Sequence, residues 1–401
     1  MANSLSQYFI SLGAKRLSEV EINPKKSNQH ELNGTSGFKK IFGLDPLKFT
    51  AKFIYLSEDE DNIIENTGEL TWYDARENHA TRTEHRLYYT DNQVIPYSSV
   101  GDLIIVARTG DNTAAIFVAQ KGSTSEKQLL WLFDLDEVEN KFIVKDLTGQ
   151  KSDIGFAGKY IISSLGIEIE EPQFDANILI QKFGSVFPST NEFSAYARSI
   201  VKDVSVIDAP DETLIAWLEK EELLFRTLES IIVKERLKAG FGKDGTDVDE
   251  FISFSLSVQN RRKSRAGHSF ENHLAVIFDE HKLLFDKGKL TERNNKPDFV
   301  FPKNRYHSPE FNIELLTMLG VKTTAKDRWR QVLSEADKIP YKHLITLEPS
   351  ISRNQTEEMR AQQLQLVVPK TIIPTYLKEQ QEHIINLGDF IKHVYKKQSM
   401  L

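Results

Sequence analysis

Between residues 49 and 118 short apolar runs alternate with polar breaks, and this rhythm narrows the fold of the first part of the chain more than any other feature. Segments 49–56 (FTAKFIYL), 69–73 (ELTWY), 84–89 (EHRLYY), 102–107 (DLIIVA) and 112–118 (NTAAIFV) are rich in β-branched and aromatic residues. Clusters of Asp, Asn, Gly and Ser separate them, which predicts strands joined by turns. Several short strands at this spacing fold as a barrel or a sandwich.

The texture then changes. Residues 168–194 carry two prolines and no clear period, which predicts a linker. From Asp208 the apolar residues recur at helical spacing: Leu214, Trp217, Leu218, Leu224, Phe225, Leu228, Ile231 and Ile232. Pro210 suits a first turn, and Asp211 and Glu212 suit the positive end of a helix dipole. Further on, the pattern predicts a helix over 270–281, a strand at 298–301 (DFVF) and a buried strand at 315–323 (LLTMLGVKT). A third helix is expected over 326–339, then strands at 344–347 and 364–369 and a last helix from 387 to 397. The chain reads all-β first and α/β afterwards.

The 401 residues allow two domains of ordinary size. Without cysteine there is no disulfide and no thiolate metal site, which fits a cytoplasmic address. No signal peptide and no membrane span are expected, because no apolar run is long enough. The net charge of −7 says little about nucleic acid, since phosphate is bound by local clusters of Lys and Arg.

The chemistry concentrates towards the C-terminus. Asp298 opens one predicted strand, Lys322 ends the next, and Glu335 lies on the predicted third helix. A strand carboxylate beside a strand lysine suits metal-assisted phosphodiester hydrolysis. Hard carboxylate oxygens hold Mg²⁺, the ion activates water and stabilises charge on phosphate, and the lysine adds positive charge. The competing explanation is a surface ion pair, with Lys322 snorkelling out of the apolar run LLTMLGV. Glu271, in the first turn of the predicted 270–281 helix, is either a dipole-favoured carboxylate or an additional acid for the metal.

Two basic clusters accompany these residues. Asn260-Arg261-Arg262-Lys263-Ser264-Arg265 has four cations and no acid, and Lys326-Asp327-Arg328-Trp329-Arg330 has three cations around one acid. Arg and Lys read guanine, and Asp accepts from cytosine. Either cluster alone could equally be a solvated helix face, but the second begins four residues after Lys322. Groups that read bases would then sit beside groups that cut. The glycines at 240–245 lack the Walker spacing, Asp244, Asp247 and Asp249 miss the EF-hand pattern, and His79 and His85 lack zinc-ligand partners.

Three stretches are recognisable. NRRKSRAGHSFENHL at 260–274, NKPDFVFP at 295–302 and MLGVKTTAKDRWRQVLSEADKI at 318–339 closely resemble the catalytic domain of EcoRII-type restriction endonucleases, a likeness spanning about residues 205–375. The resemblance implies a PD-(D/E)XK nuclease fold and target sites built on CC and GG. It implies Asp298 and Glu335 as metal ligands, Lys322 as the catalytic lysine and Glu271 as the extra acid. Tyr306, in NRYHSPEF, matches a family tyrosine and joins the catalytic set. Lys326, Asp327 and Arg328 would read G·C pairs in the major groove, flanked by Arg330. Asn260 would read the minor groove beside Arg261 and Arg265.

The N-terminal part also resembles this family. Lys15-Arg16-Leu17-Ser18, Asn28-Gln29-His30-Glu31-Leu32 and Thr81-Arg82-Thr83-Glu84-His85-Arg86 are similar to its effector-binding pseudobarrel, a fold shared with plant B-three DNA-binding domains. His30, Arg82, Glu84, His85 and Arg86 would contact a second DNA copy, with Arg82 and Arg86 on one strand. Two departures stand out. Where the family clamps an extruded base between an arginine and an aromatic ring, this chain has Leu218 and Glu222, with Trp217, Phe225 and Arg226 as neighbours that could substitute. Ala80 stands where a lysine is expected.

The expected organisation is therefore an effector DNA-binding β pseudobarrel at 1–168, a linker at 169–185 and an α/β restriction-endonuclease-like catalytic domain at 186–401. The expected activity is that of a type II (type IIE) enzyme cutting double-stranded DNA with Mg²⁺ at a CCWGG- or CCNGG-like site. A homodimer is expected, and a cognate cytosine methyltransferase in the same system but not in a stable complex. Two alternatives share these residues: a modification-dependent nuclease, and a DNA-binding regulator with an inactive nuclease domain. Intact Asp298, Lys322 and Glu335 favour an enzyme.

Overall fold

The computed structural model describes residues 4–22, 30–33, 36–57, 64–136, 138–150, 153–169, 174–325 and 328–401. Two compact units are present, Met1–Glu170 with Thr375–Leu377, and Glu171–Pro374 with Lys378–Leu401. Among the described residues no helix is long and apolar enough to cross a membrane.

The first unit is built on one eight-stranded sheet. Its strands are β1 (Ser11–Arg16), β2 (Glu31–Asn33), β3 (Leu47–Leu56), β4 (Ile64–Asp74), β5 (His85–Tyr89), β6 (Leu103–Arg108), β7 (Thr113–Ala119) and β8 (Ile143–Asp146). They lie in the order β2-β5-β4-β3-β7-β6-β1-β8, and only the β3–β7 pair is parallel. Both faces are buried. Along β6, Leu103, Ile105 and Ala107 enter one core while Ile104 and Val106 enter the other. That is why this segment reads as continuous apolar sequence instead of an alternation. The unit is not all-β as expected: the helices Thr124–Leu132 and Gly155–Ser164 cover one face and Ser36–Phe42 covers the other. Ser123 starts the first of these by accepting the Glu126 N–H at 3.0 Å, a polar cap worth about 1 kcal/mol.

The second unit carries a five-stranded mixed sheet: β9 (Asp286–Lys287), β10 (Phe299–Phe301), β11 (Thr317–Lys322), β12 (Lys342–Thr346) and β13 (Leu364–Val367), in the order β13-β12-β11-β10-β9. Pairing is antiparallel from β9 to β11 and parallel from β11 to β13. Two long helices dominate the rest, Pro210–Ala239 and Val248–Glu280. Asp211 does more than favour a dipole. It is buried and accepts the N–H groups of Lys370, Leu387 and Gly388, tying the helix start to a distant turn and to the first turn of the helix Leu387–Gln398.

Three expectations need correction here. The stretch 169–185 is not a bare linker: it holds the helix Ala176–Phe183, capped by Asp175 and anchored by fully buried Leu179 against Phe193, Ala197 and Leu228. The helix expected at 270–281 is the last third of Val248–Glu280, started by Asp247, which accepts the Glu250 N–H. The helix expected at 326–339 covers only Trp329–Leu333. Ala336 adopts φ 49°, outside helical space, and side chains take up freed carbonyls: Asn295 donates to Ser334 and Lys342 to Ile339.

Gly320 sets how closely a helix can approach the second sheet. A Cβ at this position of β11 would come within 2.8 Å of Val332, so the glycine lets the helix Trp329–Leu333 lie directly on the strand.

Candidate active site

Asp298 immediately precedes β10, and Lys322 ends β11. The antiparallel register, with Phe299 opposite Leu319, brings the two together. Asp298 Oδ2 accepts the Val321 N–H at 2.6 Å and lies 3.3 Å from Lys322 Nζ. The side chains are only 18% and 15% exposed, so this pair is far less screened than an ion pair on an open surface.

Glu335 lies in the turn two residues beyond the helix Trp329–Leu333, not on a helix. Its carboxyl is pushed up to about 7, mainly by burial, with Asp298 adding to the effect and Lys322 and Lys342 opposing it. Glu335 Oε2 is buried and has no hydrogen-bond partner among the described residues. A buried oxygen left unpaired is costly, and a bound cation would remove that cost.

Glu271 reaches the same region from the long helix. Seven residues on, Phe278 sits on the same helix face and packs its ring 5.2 Å from Phe299 and 5.3 Å from Phe301. This packing on β10 aims Glu271 towards Asp298. Glu271 is nowhere near the first turn, so the dipole explanation for it falls away. Its carboxyl is held above the usual range by burial, then by the Asp298 charge, with Lys287 and His268 opposing. Lys287, on β9, stands 3.5 Å from Glu271 Oε2 and donates to Asn272 Oδ1 at 3.0 Å. Sequence reasoning missed Lys287, because a two-residue strand carries no period.

Asp298, Glu335 and Glu271 thus supply hard oxygen donors around a lysine. Among the described residues no three His, Asp or Glu form a ready-made metal cage. Mg²⁺ asks for less: one or two carboxylates, with waters completing the shell. The donor set and the orphaned Glu335 oxygen fit such an ion.

Tyr306 is elsewhere engaged. Its ring is fully buried and its phenol donates to Glu292, while its carbonyl accepts from Lys338 at 3.2 Å. Burial, reinforced by Glu292, raises the phenol well above its ordinary range. It shapes the loop and does not join the three carboxylates.

The expected DNA contacts sort by exposure. Arg328 is exposed, and its Nη2 donates to Thr324 Oγ1 at 2.8 Å. Arg330 is exposed, lies over the Trp329 ring and pairs with Glu358 at 2.7 Å. Lys326 and Asp327 lie outside the described residues. Asn260 and Arg261 are exposed on the long helix, Arg261 over the Phe187 ring. Arg265 does not fit a DNA contact: it is 7% exposed, bonded to Glu222, 3.5 Å from Glu221 and stacked over Phe225. Its partners lie on the preceding helix, so no local sequence pattern reveals them. Leu218, Trp217 and Phe225 are buried, and Glu222 is held between Arg226 and Arg265. No base clamp is free at these positions.

In the first unit the picture is also mixed. Arg82 is exposed in the loop before β5 and not on a strand with Arg86; it forms no hydrogen bond or ion pair among the described residues. Glu84 bridges Arg76 and Arg86, and Arg86 also pairs with Glu31 at 2.6 Å. His30 is partly exposed, 3.3 Å from Asp91. His85 does not fit a DNA contact: it is 4% exposed, packed on Trp72 and hydrogen-bonded to the Leu44 carbonyl.

Similarity to known proteins bears on this geometry. Residues 225–391 match the family described as EcoRII C terminal. The type II restriction enzyme EcoRII of Escherichia coli is 36% identical over 326 residues, covering 80% of this chain and 77% of that protein. Among solved structures, metal-depleted Ecl18kI in complex with uncleaved DNA gives a TM-score of 0.45 at 19% identity, covering 55% of this chain and 83% of the other. The PspGI–substrate DNA complex gives 0.44 at 15% identity, covering 55% and 96%. Identity at this level across most of both sequences establishes that this chain belongs to the EcoRII family of type II restriction enzymes.

Proposed function

We propose that this restriction endonuclease hydrolyses double-stranded DNA with Mg²⁺ at a short CC/GG-containing site, CCWGG- or CCNGG-like. The observation that carries the reading is the 3.3 Å contact of Lys322 with Asp298 beside the buried, unpartnered Glu335 oxygen. Asp298 and Glu335 would hold the ion, with Glu271 adjacent. Bound there, Mg²⁺ supplies Lewis acidity and an activated water. Lys322, held by Asp298, presents positive charge where a phosphate develops negative charge. Val321 N–H fixes the Asp298 carboxylate, so its second oxygen is free to bind.

Lys326, Asp327 and Arg328 read G·C pairs in the major groove and Asn260 reads the minor groove; the exposure of Arg328 and Asn260 supports this. The enzyme acts as a homodimer, because two-fold DNA sites favour two-fold proteins, and each active site cuts one strand. Residues 1–168 form a B-three-like effector domain that binds a second DNA copy, 169–185 connect, and 186–401 catalyse. Exposed, unengaged Arg82 supports the effector role. A cognate cytosine methyltransferase protects the host sites without forming a stable complex.

Digestion of an unmodified plasmid of known sequence, with Mg²⁺ or with EDTA, tests the reading, and mapping the ends gives the site. Discrete cuts with Mg²⁺ alone are expected. Cleavage only of methylated DNA, or none in Mg²⁺, overturns it. Removal of residues 1–168 is expected to leave cleavage intact.

A further inference from the structure

Two side chains at and just past the end of β12 brace residues 323–325, which follow Lys322. Thr346 pairs with Lys322 in the parallel register. Its Oγ1 donates to the Thr323 carbonyl at 3.4 Å and accepts the Glu348 N–H at 3.2 Å. The Glu348 carboxylate, 1% exposed, accepts the Ala325 N–H at 2.7 Å. Ala325 is itself fully buried, and its carbonyl accepts the N–H groups of Arg328 and Trp329, each at 2.9 Å. The Trp329 ring is buried as well, so Ala325 and Trp329 are both held in the interior.

Using a buried carboxylate to hold a main-chain N–H is costly, since burial disfavours the charged form. What it offers is a short, charge-assisted bond, roughly twice as strong as a neutral one. Such a bond is worth its cost where the position of the backbone matters. Here the backbone leads from the lysine at the scissile phosphate to an exposed arginine.

We propose that Glu348 is a positioning residue for base discrimination: through Ala325 it fixes the turn carrying Arg328 relative to Lys322. This rests on the reading of Lys322 as catalytic and Arg328 as a base reader. Thr346 is the second arm of the same brace.

The test compares full-length wild type, Arg328→Ala, Glu348→Ala, Glu348→Gln and Thr346→Val with Mg²⁺. Each is assayed on the mapped site and on duplexes with one G·C pair changed. Cleavage by wild type and lost discrimination in Arg328→Ala establish the premise; absence of either refutes the premise, and the proposal with it. Given the premise, Glu348→Ala should lower the ratio of kcat/KM between the mapped and altered sites by about tenfold or more, the scale of one base pair's discrimination. Glu348→Gln keeps an acceptor for Ala325 but loses the charge assistance, and should fall between wild type and Glu348→Ala, as should Thr346→Val. Sequence-independent binding in EDTA and its salt dependence should not change. A purely structural loss would lower activity on all sites equally and leave the ratio untouched, which overturns the proposal. If Glu348→Ala does not fold, an unchanged ratio in Thr346→Val overturns it.

Discussion

Lys322 Nζ and Asp298 Oδ2 lie 3.3 Å apart, and the same oxygen accepts the Val321 N–H. The lysine is thus held by the carboxylate that also anchors the backbone beside it. Lys322→Ala should lower cleavage by about a thousandfold, the scale of losing one preorganised electrostatic group. Specific binding in Ca²⁺ or EDTA should persist, read by gel shift. Retained Mg²⁺-dependent cleavage would remove Lys322 from the chemistry.

Glu335 makes the metal-free protein sensitive to pH. An unfolded glutamate loses its proton near 4.5, whereas this one holds it to about 7. Between those values the unfolded chain binds fewer protons, so stability falls as pH rises. The contribution is complete below the lower value and lost above the higher. Thermal unfolding in EDTA should show this slope, and Glu335→Gln should flatten it. Because a metal needs the ionised carboxylate, Mg²⁺ should raise the midpoint more at pH 8 than at pH 6, and cleavage should rise through about pH 7.

Arg265→Ala should be a folding variant and not a recognition variant. It removes the guanidinium from fully buried Glu221, which keeps only His273, and leaves Glu222 with Arg226 alone. Removing one partner of a buried pair costs about 3–5 kcal/mol. Urea unfolding should show the loss, while any folded fraction keeps its site preference. Unchanged stability with relaxed specificity would return Arg265 to the DNA interface.

Arg82 and His85 should separate in the same way. Arg82→Ala should weaken DNA binding in salt titrations and reduce the salt slope by about one, with no change in thermal midpoint. His85→Ala should lower the midpoint through lost packing on Trp72. The reverse pattern would exchange their roles.

Much of the fold is legible from the residues, for identifiable reasons. All five predicted strands of the first unit are present: β6 and β7 are buried on both faces and read as apolar runs, whereas β5 and the end of β4 bury alternate residues. β1 escapes notice because SLGAKR carries Lys15, which is buried only by pairing with Glu21 at 2.7 Å. The first half of Val248–Glu280 is hidden by an alternation: Ser253, Ser255 and Ser257 interleave with Phe254, Leu256 and Val258, masking the helical period. At Glu335 the reverse occurs. Trp329, Val332, Leu333 and Ala336 continue the helical spacing past the point where Ala336 turns the chain. That Asp298 and Lys322 come together is legible because each sits at the end of a short strand, within stretches that resemble the family. Glu348 is not, because its partner Ala325 has no side-chain chemistry to announce it.

Gly320 has one more implication. The separation between β11 and the helix above it is fixed by a missing carbon atom. A methyl group there has no room except through Val332, and lifting the helix would carry Arg328 and Glu335 away while Lys322 stayed in the sheet. On the reading proposed for Arg328, exposed side chains around the helix can vary in ways that the contact beneath it cannot. The floor on which it rests is closed to change.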